Sequence, residues 1–593
     1  MVKLSSLGIE TGTLESEFEK VTSLAELREK SCVVAKGGRH GIAVFHDNGR
    51  VYAVDNRCPH MGFPLSRGTL KEGILTCHWH HARFDLSSGG TFDPWADDVR
   101  TYPIKVVDGE VWLNTKPLMP DMTERWKLRL EEGLEQGLSL VMAKQIISML
   151  NAGMNFREAL RVAAIYGCRS RDEGWGSGLT ILTAMANIFD RLTPDDKVLA
   201  LFHGVVNVSR DTRNHPPRVP QQPLVSTEAT LSTLKDWFRE FVEVRDSEAA
   251  ERCVLTAIEL KASPSEIADL LYSAITDHFF LDGGHVLDFT NKAFELLDHI
   301  GWEYAKEILP TLVRGICEAR RHEEDNSWRH PIDLVPLLQE SFGKLPTLIQ
   351  KGQGKRWNDF SELSSLLLSE SPHDVVKALK EAIANGAEAS QLSLALAFAA
   401  CTRIARFHTQ NEFSDWITVL HTFTYCNAVH MALKRTRSQD VMRAIFHGAM
   451  KVYLDRFMNI PPASLPSERK GAKHDAIERS VVLASLLETM NVQQQVEKTA
   501  ELVYDYLRLG ESDEDIMRTL AHTLVREDAE FHSIQMLEAA FGLYDELKEY
   551  PQRQIVLIGL ARYLSAHSPT PRAMLQTATI ALRLNRGEDL YQE

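Results

Sequence analysis

At 593 residues the chain is too long for one hydrophobic core, which stops growing at roughly 250–300 residues, so two to four domains are expected. Its composition, 44% hydrophobic, 25% charged and 8% aromatic, is that of a globular protein. A formal net charge of −15 argues against nucleic acid as a main partner, because phosphate contact needs a basic face.

Residues 1–17 are an N-terminal segment whose start, MVKLSSLGIETGTLESEF, lacks the basic-then-apolar order of a secretory signal. No uncharged apolar run approaches the roughly 18 residues of a membrane span; the best is Leu392 to Cys401. A cytoplasmic protein without a membrane partner is expected. Eight cysteines without a Cys-x-x-Cys pair do not make a disulfide framework. Cys32, Cys168, Cys253, Cys317, Cys401 and Cys426 read as buried small hydrophobes.

From residue 18 to 116 the segments SCVVAKG, HGIAVFH, RVYAVDN, GILTCHW, TYPIKVV and GEVWLNT alternate with Asn-Gly, Glu-Gly, Asp-Gly and Gly-Gly turn signals, which predicts a small all-β domain. A linker at 117–124 contains Pro117 and Pro120, and thereafter long apolar-periodic runs predict a large all-α region. That region matches itself. Cys168 pairs with Cys401, LTILT (179–183) with ITVLH (417–421), Phe202-His203-Gly204 with Phe446-His447-Gly448, and His285 with His532, at separations of 233, 238, 244 and 247 residues. Asp211 and Pro216-Pro217 follow the first Phe-His-Gly as Asp455 and Pro461-Pro462 follow the second. Two related helical halves, 125–345 and 370–593, joined by a linker at 346–369, are expected from this internal duplication.

The chemistry-bearing motif is Cys58-Pro59-His60, sixteen residues, then Cys77-His78-Trp79-His80. Two thiolates on one iron and two imidazoles on the other would hold a [2Fe–2S] cluster. Cys₂His₂ also suits zinc, although zinc sites usually pair Cys with Cys and His with His. Gly62, Gly68 and Gly73 stand where tight loops around such a site need backbone without a Cβ. With Arg83-Phe84-Asp85, Gly89-Gly90 and Asp93-Pro94, residues 18–116 resemble the Rieske family of ferredoxins and ring-hydroxylating oxygenases. The resemblance implies Cys58, His60, Cys77 and His80 as cluster ligands. Respiratory Rieske proteins carry an extra cysteine on each loop and Ser and Tyr hydroxyls that donate to sulfur. Here Phe63, Trp79, Ala82 and Phe84 stand at those places. Fewer donors to sulfur lower the potential, towards about −150 mV. The family usually has Gly where His81 stands, and a solvent-facing side chain is expected there.

The Asp-x-x-His-x₃₋₄-His iron motif of Rieske oxygenases is absent, and GWGSG (174–178) lacks the strand–turn–helix context of a nucleotide fingerprint. Electrons must then come from an external ferredoxin or flavin reductase. The duplicated histidines His203, His285, His447 and His532, with Asp282 and Asp528 one turn before two of them and His278 on the same stripe, suggest a non-haem iron or manganese site, mono- or dinuclear. Asp282 is also a candidate helix N-cap. A metal-dependent oxygenase or oxidase acting on a small organic substrate follows; an electron carrier that docks partner proteins, or a redox sensor, is the alternative. Oligomerisation is compatible with either. His203, read as opening a helix, and Gly284-His285-Val286 resemble segments of the questin oxidase family, which implies oxygenation of a bulky, polycyclic apolar compound.

Overall fold

Three tight turns organise the first hundred residues of the computed structural model, which describes residues 17–118, 121–469, 478–510, 512–588 and 590. Nearly all of the expected N-terminal segment, and Pro120 of the expected linker, lie outside the described residues. At Asn48-Gly49, Glu72-Gly73 and Asp108-Gly109 both residues of a two-residue loop have positive φ, from 48° to 81°. That geometry matches the right-handed twist of the flanking strands. The turns connect β3 (Ile42–Asp47) to β4 (Arg50–Asp55), β5 (Thr69–Lys71) to β6 (Ile74–Thr76), and β8 (Ile104–Val107) to β9 (Glu110–Asn114).

Three small antiparallel sheets result. One orders β1 (Phe18–Ser23), β9 and β8; the second β2 (Cys32–Ala35), β3 and β4; the third β5, β6 and β7 (Arg83–Asp85). Alternation puts Ala43, Phe45 and Val54 into one core with Leu65, Leu75, Phe84 and Leu86. Cys58 and Cys77 border the same core.

Beyond Asn114 the described residues contain helices and no further strand, as the apolar periodicity predicts. The molecule divides into two compact units, one running to Ala159 and taking in the chain from Gln576, the other spanning Leu160–Leu575. In the first, the helices Thr123–Gln136 and Ser139–Asn151 join the β-rich domain through polar side chains. Arg125 pairs with Asp98 at 2.8 Å, and Arg129 donates to the carbonyls of Pro94 and Ala96, each at 2.6 Å. Arg57 and His40 hold the end of the chain, at the carbonyls of Leu584 and Gly587, at 3.1 and 3.0 Å.

The second unit is all-helical. Four of its helices, Ser177–Ile188, His285–Ile300, Phe413–Arg435 and Phe531–Glu546, pack each against the next and close a ring. Cys168, Cys253, Cys317, Cys401 and Cys426 are free and buried as expected, whereas Cys32 is half-buried. No helix among the described residues is long and apolar enough to cross a membrane.

Candidate metal centres

Cys58 follows β4 and Cys77 follows β6, and each is 1% exposed. The strands deliver the two thiols face to face, close enough to share a hydrogen bond. That bond raises the Cys58 thiol and holds Cys77 down at about 6. Backbone amides of His60 and Met61 point at the Cys58 sulfur, and those of Trp79 and His80 at the Cys77 sulfur. The loops are pinned by backbone bonds, Cys58 N to Phe63 O at 2.7 Å and Cys77 N to Ala82 O at 2.8 Å. The His60 and His80 rings meet edge to face with centroids 4.8 Å apart. His60 is half-buried against Trp95, whereas His80 is exposed. Burial first, then the Lys144 charge, lowers the His60 imidazole to about 4.

The residues present fit a [2Fe–2S] group. Two buried thiols and two imidazoles converge, amides aim at both sulfurs, and His60 Nδ1 is buried with no hydrogen-bond partner among the described residues. An aromatic nitrogen left unpaired in a core carries a desolvation cost that ligation would remove. Gly68 keeps its backbone clear of Thr76 O, which a Cβ would approach to 2.6 Å.

Of the seven residues expected at a second metal, the structure brings together only His285 and His532. His203 lies midway along the helix Pro194–Thr212, not at its start, and its Nε2 meets Val525 O at 2.8 Å. His447 is buried against Phe279, ring centroids 4.4 Å apart. The Phe-His-Gly motif is a packing device: a Cβ on Gly204 would stand 2.7 Å from Leu182, and one on Gly448 2.9 Å from Leu396. His278 pairs with Glu323 at 2.8 Å and Glu243 at 3.1 Å. Asp528 accepts from the amides of Ala573 and Met574 at the start of another helix. Asp282 is exposed on the kink before His285 and makes no N-cap bond; Gly284 takes the N-cap position.

The third member of the group is His421. Ligating atoms of His285, His421 and His532 all lie within 4.8 Å of one another. His285 is the first residue of its helix, His532 the second of its own, and His421 lies inside Phe413–Arg435. His532 Nδ1 donates to Glu530 Oε2 at 2.7 Å, and its Nε2 stands 2.9 Å from His421 Nε2. Glu530 also accepts from the amides of His532 and Ser533 at 2.8 and 2.7 Å, capping the helix. Burial pushes its carboxyl up, but these bonds outweigh it and hold Glu530 at about 2. Burial and the neighbouring imidazoles lower His285 to about 4 and His421 to about 2, Asp282 opposing at His285. Three imidazoles whose ring nitrogens converge are a transition-metal donor set, and a carboxylate on the far nitrogen is the usual way such a ligand is oriented.

The backbone that presents His285 is unusual. Phe280, Asp282, Gly283 and Gly284 all have positive φ, from 47° to 94°. For Phe280 and Asp282 this conformation costs of order 1–3 kcal/mol each, and such strain clusters at functional sites. Gly284 is required there, since a Cβ would meet the Phe280 ring at 3.0 Å and Tyr425 at 3.1 Å. Sequence reasoning missed His421 because it sought histidines that recur in the segments matched between the two halves. His421 ends the matched segment ITVLH, whose counterpart LTILT has Thr183 in its place.

The Rieske [2Fe–2S] domain family matches residues 17–103. The ferredoxin component of the alkene monooxygenase system of Xanthobacter autotrophicus is 31% identical over 103 residues, 17% of this chain and 84% of that one. Apoptosis-inducing factor 3 of Homo sapiens is 31% identical over 88 residues, 15% of this chain, and the match spans only 14% of that relative's length. Among solved structures, the ferredoxin of carbazole 1,9a-dioxygenase from Nocardioides aromaticivorans IC177 is 26% identical, covering 17% of this chain and 98% of that chain at a TM-score of 0.16.

Proposed function

Because the chain belongs, through residues 17–103, to the Rieske [2Fe–2S] domain family, we propose that it is an oxidoreductase in which electrons from an external reductase reach a metal centre in the helical region and serve oxygenation or oxidation of a small organic substrate. A bound cluster supplies one-electron transfer. Cys58, Cys77, His60 and His80 would hold it, with the exposed His80 edge open to a reductase.

The observation that carries the second half of the reading is the convergence of His285, His421 and His532. In their roles the three imidazoles bind one ion, Glu530 fixes the tautomer and orientation of His532, and the strained turn 280–284 holds His285 in place. Phe289 and Phe531 flank His285 with ring centroids at 5.2 and 5.8 Å. They make this side of the group apolar, which supports an apolar organic substrate. Iron or manganese is the metal this reading favours for redox chemistry. The dinuclear version is set aside, since no acidic residue among the described residues joins the group of three.

Internal duplication belongs to the same reading. It is supported by both Phe-His-Gly glycines meeting helices of the matched segments, Leu182 in the first case and Cys426 in the second.

Metal analysis with electron paramagnetic resonance tests the proposal. Protein prepared without oxygen and supplied with iron and sulfide is expected to carry three metals per chain. The His285→Ala, His532→Ala double variant is expected to carry two and to keep the Rieske spectrum. Two metals in both proteins would instead support an electron carrier, the reading that the ferredoxin relative and the exposed His80 favour.

A further inference from the structure

We propose that Lys144, on the helix Ser139–Asn151 outside the β-rich domain, raises the reduction potential of the cluster by holding a positive charge against the backbone of the His60 loop. The inference rests on the assignment of Cys58, His60, Cys77 and His80 as cluster ligands.

Lys144 is the only charged residue in the helix stretch SLVMAKQIISMLN, and it is 7% exposed. A buried ammonium is stable only when its donors are met. Its three N–H donors have three acceptors. They are Pro59 O at 2.7 Å, His60 O at 2.9 Å and Asp97 Oδ2 at 3.1 Å. Two of these belong to the Cys58–His60 loop itself. The charge is therefore fixed next to a ligand's own peptide and shielded from water and salt. Asp97 is the counter-charge, and it is shared, since Gln145 Nε2 also donates to it at 2.7 Å. The cation bonds two carbonyls of the loop directly.

Reduction adds one electron to the cluster and breaks or forms no bond; the electron comes from the reductase, or from dithionite in the test. A fixed cation stabilises the added negative charge, while a fixed anion opposes it. Lys144 therefore works against the lowering effect of Ala82 and Phe84, and Asp97 moderates it.

Potentiometric titration of the full, cluster-loaded chain, followed by electron paramagnetic resonance, tests this. Lys144→Met should shift the one-electron equilibrium against a redox dye about tenfold towards the oxidised form, equivalent to about 59 mV. Asp97→Asn should shift it the opposite way. The double variant should return near wild type, and Lys144→Arg should stay near it. A purely structural lysine would not yield opposite shifts that cancel. A Lys144→Met protein with an unchanged spectrum and an equilibrium within about twofold of wild type would overturn the proposal. Should that variant fail to load, Asp97→Asn decides: a shift towards the reduced form supports the proposal and no shift overturns it. Wild-type protein with no [2Fe–2S] signal would overturn the ligand assignment, and the inference with it.

Discussion

His81 shows how a single dihedral angle explains a departure from a family pattern. It is exposed, as the sequence led one to expect, but its φ is +64°, in the left-handed region that favours glycine. A side chain there costs roughly 1–2 kcal/mol, against the 0.5–1 kcal/mol by which glycine loosens the unfolded chain. His81→Gly should stabilise the protein by about 0.5–1 kcal/mol. Loss of the cluster's visible absorption in urea, with a midpoint shifted upward at unchanged slope, checks this. The four candidate cluster ligands were legible in the sequence because each Cys–His pair occupies one short loop. His421 was not, because its partners are 136 residues before it and 111 after it in the chain, and only packing makes them neighbours.

At the scale of elements, the ring of four helices buries more than histidines. One turn below His285 and His532 stand Asp288 and Gln535, hydrogen-bonded to each other. Further down, Lys292 Nζ lies 2.8 Å from both Glu295 and Glu538. Burial pushes the Asp288 carboxyl up to about 7, with Glu538 and Glu295 adding to the push while Lys292 and Gln535 oppose it. An unfolded aspartate titrates near 3.9. Between about pH 4 and 7 the unfolded chain therefore releases a proton that the folded chain retains, and stability falls as pH rises, by roughly 1.4 kcal/mol per unit at most. Asp288→Asn should remove that slope. The difference in thermal midpoint between wild type and variant should change steadily from about pH 4 to 7 and level off above that; a constant difference would contradict the assignment. The helical class of these elements was legible from their apolar period, and so was the recurrence of Phe-His-Gly at 202–204 and 446–448. Its meaning was not, since a glycine shared by two matched segments reads the same whether it admits a neighbouring helix or frames a ligand.

For the whole molecule, the absence of hydroxyl donors at Ala82 and Phe84, both fully buried, predicts a low potential, towards about −150 mV, with Lys144 pulling it upward. A redox titration is expected to give a midpoint below zero; a value well above zero would remove the argument from sulfur hydrogen bonding. The division into units also carries a lesson. The sequence texture changes at Pro117, yet the first compact unit runs on to Ala159 and includes the chain from Gln576. Composition and spacing were enough to specify the β-rich domain, its turns and the all-helical remainder, because local dihedral preference and side-chain period are written residue by residue. Which histidines meet, which helix lends a charge to the His60 loop, and which end of the chain joins that loop depend on contacts between residues up to several hundred positions apart. Those contacts follow from how apolar faces pack, and no local pattern records them.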